Sequence, residues 1–150
     1  MSYYGLQKPA NDVIMGQPVP TEYLKAENTS VKPGLLVKKG TTQDLIVACD
    51  AAGNPGGWAG YGAAATLKPE KPATAYKAND MVPVHNGGGF HVVAILAETE
   101  TVGKNDPLVA ADNGEVKALD TAAPTPVVGY AAQDANATAG ATAILVRSII

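Results

Sequence analysis

Met81-Val-Pro-Val-His85, Asn86-Gly-Gly-Gly89 and Phe90-His-Val-Val-Ala-Ile-Leu-Ala97 lie end to end near the middle of the chain. Two apolar runs of strand length flank four residues that favour turns, a pattern that predicts a β-hairpin. Along the second run both alternating sets are mostly apolar: Phe90, Val92, Ala94 and Leu96 on one side, Val93, Ile95 and Ala97 on the other. Such a strand is expected to be covered on both faces, as in a small barrel or a sandwich.

The same grammar extends in both directions. Upstream, Leu35-Leu-Val-Lys-Lys39 is closed by Gly40, and Leu45-Ile-Val-Ala-Cys49 ends in the turn-rich segment Asp50 to Gly57. Downstream, Pro107-Leu-Val-Ala-Ala111 and Glu115-Val-Lys-Ala-Leu119 surround Asp112-Asn-Gly114, a type I′ or bulged-turn signal. Pro126 to Ala132 and Ala143 to Ile150 read as two more strands, with the small, polar stretch Gln133 to Thr142 between them as a loop or a single helical turn. The Ala/Thr/Pro-rich stretch from Gly62 to Ala78 reads as a surface excursion. The expected fold is all-β, with about eight strands and little helix.

Residues 1–33 read differently, as an extended arm preceding a β-rich body at 34–150. Pro9, Pro18 and Pro20 deny it a long helix. Val13, Ile14 and Met15 form a short apolar island, and Tyr3, Tyr4 and Tyr23 are half of the six tyrosines. Aromatic anchors on an extended chain suit docking on another protein, which makes these six residues the candidate contact set.

Composition removes several function classes. Sixteen glycines and eleven prolines in 150 residues exceed the usual combined share of roughly 12% and favour short strands joined by turns. Eleven Lys and Arg against 14 Asp and Glu give a net charge of −3, and Arg147 is the sole arginine. A phosphate-gripping surface needs a dense basic field, so no nucleic-acid partner is expected. No apolar run of membrane-spanning length occurs, and no membrane association is expected. The start, MSYYGLQKPANDV, has no apolar signal core, so a secretory route is not expected. One cysteine, Cys49, permits no intramolecular disulfide and suits a reducing compartment.

Motifs for chemistry are weak. Gly60-Tyr-Gly62-Ala-Ala-Ala65 matches G-x-G-x-x-A in form, but turn residues precede it and Pro69 and Pro72 follow too soon for the helix a pyrophosphate needs. His85 and His91 flank the central turn and would approach each other across a hairpin, yet no third ligand recurs at short spacing. Cys49 closes an apolar run and reads as a small buried hydrophobe. Glu98 and Glu100 alternate as on a solvated strand face. The sequence therefore implies no catalytic residue, no metal and no cofactor.

From Glu98 onward the order of elements is Glu98-Thr-Glu-Thr-Val-Gly-Lys-Asn-Asp-Pro-Leu-Val-Ala-Ala-Asp-Asn-Gly-Glu-Val116, then Val127-Val-Gly-Tyr-Ala-Ala-Gln-Asp-Ala135, then Ala139-Gly-Ala-Thr-Ala-Ile-Leu-Val-Arg147. It resembles the capsid decoration (cement, or head-stabilising) proteins of tailed viruses, including the lambda-type head decoration family. Val31-Lys-Pro-Gly-Leu-Leu-Val-Lys-Lys-Gly40 is similar to that family's opening strand, so the resemblance spans roughly residues 28–150. Residues 53–65 and 69–78 depart from the pattern. The resemblance implies a β-tulip-like body, often a homotrimer, on the outer surface of an icosahedral shell in the virion. There it would clamp neighbouring major capsid proteins, with the N-terminal segment as a strap. Two other classes stay open: a self-assembling tail-tube or fibre subunit, and a small barrel enzyme using His85 and His91.

Overall fold

The structure, a computed structural model, describes residues 14–15, 20–61 and 74–150. It is all-β. In chain order the strands are β1 (Ile14–Met15), β2 (Thr21–Ala26), β3 (Leu36–Lys39), β4 (Leu45–Ala48), β5 (Gly57–Ala59), β6 (Met81–His85) and β7 (His91–Leu96). They continue as β8 (Thr101–Val102), β9 (Pro107–Ala110), β10 (Val116–Ala118), β11 (Val127–Ala131), β12 (Ala135–Asn136) and β13 (Thr142–Ser148). A 3-10 turn, Asp112–Gly114, joins β9 to β10, with Asn113 and Gly114 both at positive φ. The Asp-Asn-Gly signal therefore makes the hairpin expected of it.

The strands close into two small barrels. The first runs β2-β4-β3-β5-β6 and back to β2, with β2 and β4 parallel and the other pairs antiparallel. The second runs β7-β10-β9-β11-β13 and back to β7, with β7 and β10 the parallel pair. The second barrel thus repeats the first strand for strand, down to single hydrogen bonds. Glu27 N–H donates to Ile46 O as Ala97 N–H does to Val116 O, at 2.9 and 2.8 Å. Gly34 N–H donates to Ala59 O as Asn105 N–H does to Ala131 O, both at 2.7 Å. Gly60 N–H donates to Pro83 O as Ala132 N–H does to Leu145 O.

The central hairpin does not form. β6 spends its two edges on β2 and β5, and β7 spends its own on β13 and on β1 with β10. Asn86–Gly89 is instead the passage between barrels. Gly87, Gly88 and Gly89 all have positive φ, a conformation that costs glycine little. Gly88 and Gly89 donate their N–H groups to Ile150 O and Ser148 O, so the passage is tied to the C-terminal strand and not to its own flanks. Packing explains the difference: Val82 and Val84 fill the first core, whereas Val92, Ala94 and Leu96 fill the second. β7 is also buried on one face only, with Val93 and Ile95 half-exposed.

Other expectations shift as well. Thr21–Ala26, read as arm, is a barrel strand paired on both sides, and Ala26 and Val31 are fully buried. The alternation Leu24, Ala26 inward and Tyr23, Lys25 outward carries that strand, and the flanking prolines obscured it. Tyr76, read as part of a surface excursion, is fully buried, and its hydroxyl donates to Gly60 O at 2.6 Å. Residues 62–73 of that excursion lie outside the described residues. The stretch 133–142 holds β12, paired with β8, and buries Ala137.

The barrels share a seam. Leu36, Cys49 and Trp58 belong to the first barrel by chain position but pack with the core of the second. The Trp58 indole N–H donates to Ser148 Oγ at 2.9 Å, and that hydroxyl donates to Ile150 O at 2.7 Å. Backbone approaches backbone at two glycines: a Cβ on Gly34 would stand 2.4 Å from Val93 O, and one on Gly114 2.7 Å from Leu36 O. Both sit at positive φ, +88° and +76°. Gly114→Ala should therefore destabilise the protein by about 2–5 kcal/mol, combining left-handed backbone strain with overpacking. Urea unfolding followed by the fluorescence of the sole tryptophan would measure this, and a loss below about 1 kcal/mol would show a yielding seam.

Candidate functional site

The candidate contact residues separate in space. Tyr3, Tyr4 and Val13 lie outside the described residues. Ile14 and Met15 form β1, antiparallel to the start of β7, with Ile14 opposite Val92 and Met15 opposite His91. Ile14 is half-buried and packs on the second core, so it is held by the chain's own body. Tyr23 faces outward on β2, 50% exposed, one of two exposed large hydrophobic residues in the described structure, with Ile149.

The histidines fall on different barrels. His85 ends β6, with Nδ1 3.1 Å from Thr21 Oγ1 and its ring edge-on to Phe90. A Cβ on Gly60 would stand 2.5 Å from His85 Nε2, so the first glycine of the G-x-G-x-x-A match is accounted for by close packing. Residues 62–65 of that match are outside the described residues. His91 lies on β7 opposite Met15 on one edge and Arg147 on the other. Among the described residues no three His, Cys, Asp or Glu side chains converge as a metal site.

The remaining polar groups are mostly structural. Cys49 is buried, and burial followed by the neighbouring Asp50 charge pushes its thiol above the ordinary value, which disfavours the nucleophilic thiolate. Lys38 and Asp50 form an ion pair, each partly exposed, and the hydrogen bond between them raises the lysine and lowers the carboxylate. Glu100 Oε2 accepts from Ala118 N–H at 3.2 Å, which ties it to β10. Glu115 is raised above its ordinary value by burial and by Glu98, with Lys32 opposing.

Two concavities bear on recognition. A cleft of about 540 Å³ lies between the barrels, lined by Lys32, Leu35, Ile95, Asn113 and Glu115 among others. A smaller cavity of about 250 Å³ opens at the mouth of the first barrel, with Leu24, Val37, Ile46 and Val84 inside and Glu22 and Lys39 at its rim. Sequence reasoning missed this mouth. Its signal was the alternation of Thr21-Glu-Tyr-Leu-Lys-Ala26, which assigns Glu22 to the inward set.

Burial, and then the Arg147 charge, hold His91 below its ordinary value, so its neutral form is favoured in the fold. A depressed histidine contributes stability that is present above its unfolded value of about 6.5 and lost as pH falls through it. Lowering pH from 7.5 to 5 should lower the melting temperature, and His91→Gln should flatten that dependence. An unchanged pH profile in the variant would assign the acid sensitivity to other groups.

The chain matches the XM1 gp53 minor capsid protein family over residues 7–146. No curated protein matches it. Among solved structures it is similar to the head fiber gp8.5 N base of bacteriophage phi29, at 16% identity and a TM-score of 0.47, covering 89% of this chain and 98% of that one. The family match spans most of both barrels and part of the segment before them. The chain therefore belongs to the XM1 gp53 minor capsid protein family and is a phage capsid-associated protein.

Proposed function

We propose that this protein is a structural decoration subunit that sits on the outer surface of the assembled phage shell and clamps neighbouring major capsid proteins. One observation carries the reading. Every barrel strand lies at or after Thr21, yet the family match begins at residue 7. Among the described residues ahead of Thr21, Ile14 and Met15 form β1, which pairs with the edge of β7 and is not needed to close either ring. A segment common to the family but unnecessary for closing the barrels suits a strap that engages a partner.

The body suits the same role. Closed barrels remove most of the strand edges through which β-proteins aggregate, so many copies can coat a shell without cross-linking. Net charge of −3 gives no general affinity for packaged nucleic acid. The role is structural, with no catalytic step and no cofactor, and the self-association that fits a shell with local three-fold axes is a trimer.

Deleting residues 1–13 should leave both barrels folded while weakening co-sedimentation with purified shells by about tenfold or more, equivalent to about 1.4 kcal/mol. Deletion through residue 27 is the wrong test, because it removes β2. Equal decoration by the truncated chain would end the strap reading. Light scattering of the purified protein and of its shell-released form should give the mass of a trimer, and a monomer in both would remove the trimer from the proposal.

A further inference from the structure

We infer that Asn86 is a site of spontaneous deamidation, which adds a negative charge and, in part of the molecules, an extra main-chain carbon to the passage between the barrels as the protein ages. The reaction needs only the chain and water. The backbone nitrogen of the following residue attacks the asparagine Cγ, a new C–N bond closes a five-membered succinimide, and ammonia leaves, carrying the proton that the nitrogen gives up. Water then adds to one of the two ring carbonyls and breaks its C–N bond. One opening leaves aspartate, and the other leaves isoaspartate, whose main chain runs through Cβ and Cγ. Nothing is oxidised or reduced. The attack is easiest where the following residue is glycine, since no Cβ crowds the nitrogen, and where that N–H is not already held by an acceptor.

The sequence holds two Asn-Gly pairs, Asn86-Gly87 and Asn113-Gly114, and the fold treats them oppositely. Gly114 is buried, and its N–H donates to Cys49 O at 2.6 Å. Attack on Asn113 therefore waits on an opening of the seam. Gly87 is exposed, at φ +100°, and Asn86 is half-buried. Gly88 and Gly89 give their N–H groups to Ile150 O and Ser148 O, whereas that of Gly87 has no acceptor among the described residues. The other described asparagines are each held. The N–H groups that follow Asn79, Asn105 and Asn136 donate to Lys77 O, Gly103 O and Glu100 O at 3.1, 3.1 and 2.8 Å. Asn54 precedes Pro55, which has no N–H. Asn28 is followed by the β-branched Thr29, and its side-chain oxygen accepts from Ser30 N–H at 2.9 Å. The product forms at a junction: the bonds of Gly88 and Gly89 tie the passage to the end of the chain, where Ser148 accepts from Trp58. Each event adds one negative charge to the net −3.

The test is to hold the full-length protein in warm, mildly alkaline buffer, sample it over days, and map tryptic peptides by mass spectrometry. The peptide Ala78–Lys104 should gain the mass change of amide to acid, with fragment ions placing it at Asn86 and with aspartate and isoaspartate forms both present. Conversion at Asn113, in the peptide Asn105–Lys117, should be slower by about tenfold or more, because it requires local opening. In concentrated urea the two Asn-Gly pairs should convert at similar rates, since unfolding frees both nitrogens. Asn86→Gln, whose longer side chain would have to close a six-membered ring, should lose the acid-shifted species on isoelectric focusing. Conversion in the folded protein that is equal at the two sites, or slower at Asn86, overturns the inference. So does an intact Asn86 in folded protein at a time when the urea-treated chain has reacted, or an acid-shifted species that persists unchanged in Asn86→Gln.

Discussion

Trp58 is the side chain on which the two halves depend. It leaves the outer wall of the first barrel and is fully buried among core residues of the second, with its indole N–H satisfied by Ser148. A buried aromatic of this size contributes more than any single aliphatic contact, and its polar handle fixes the orientation. Because Ser148 in turn donates to the carbonyl of Ile150, the same bond anchors the end of the chain. Leu36 and Cys49 extend this seam, and Gly34 and Gly114 let the backbones approach closely there. The two barrels are joined through packing as well as through the short passage Asn86–Gly89.

Closure of each barrel on a parallel pair has a second consequence. A five-stranded ring with β2 beside β4, or β7 beside β10, must offset those strands, since the parallel pair meets only at one end. The offset leaves half an edge open in each barrel. In the second barrel β1 pairs with part of that edge, at His91 and Val92.

The chemistry of the described side chains fits a structural role. The one cysteine is buried with its thiol form favoured, the two histidines serve different barrels, and the carboxylate of Glu100 is tied to a backbone amide.

Local signals in the sequence determined the β class, the Asp112-Asn-Gly114 turn and most of the longer strands, because alternation and turn chemistry act over a few residues. That the chain is a phage capsid-associated protein was likewise legible, from the order of short runs and turns between Glu98 and Arg147. Partner choice was not. Asn86-Gly-Gly-Gly89 is as good a hairpin turn locally as many that form, and only the demand that Val84 and Val92 fill different cores sends its flanks apart. Thr21–Ala26 is a strand because β4 and β6 close on it, a long-range condition that the prolines before it concealed. The mouth lined by Leu24 and Val84 exists only once residues some 60 apart in sequence meet across the ring. Local propensity sets which segments extend, and the burial of specific side chains in a shared core decides which of them pair.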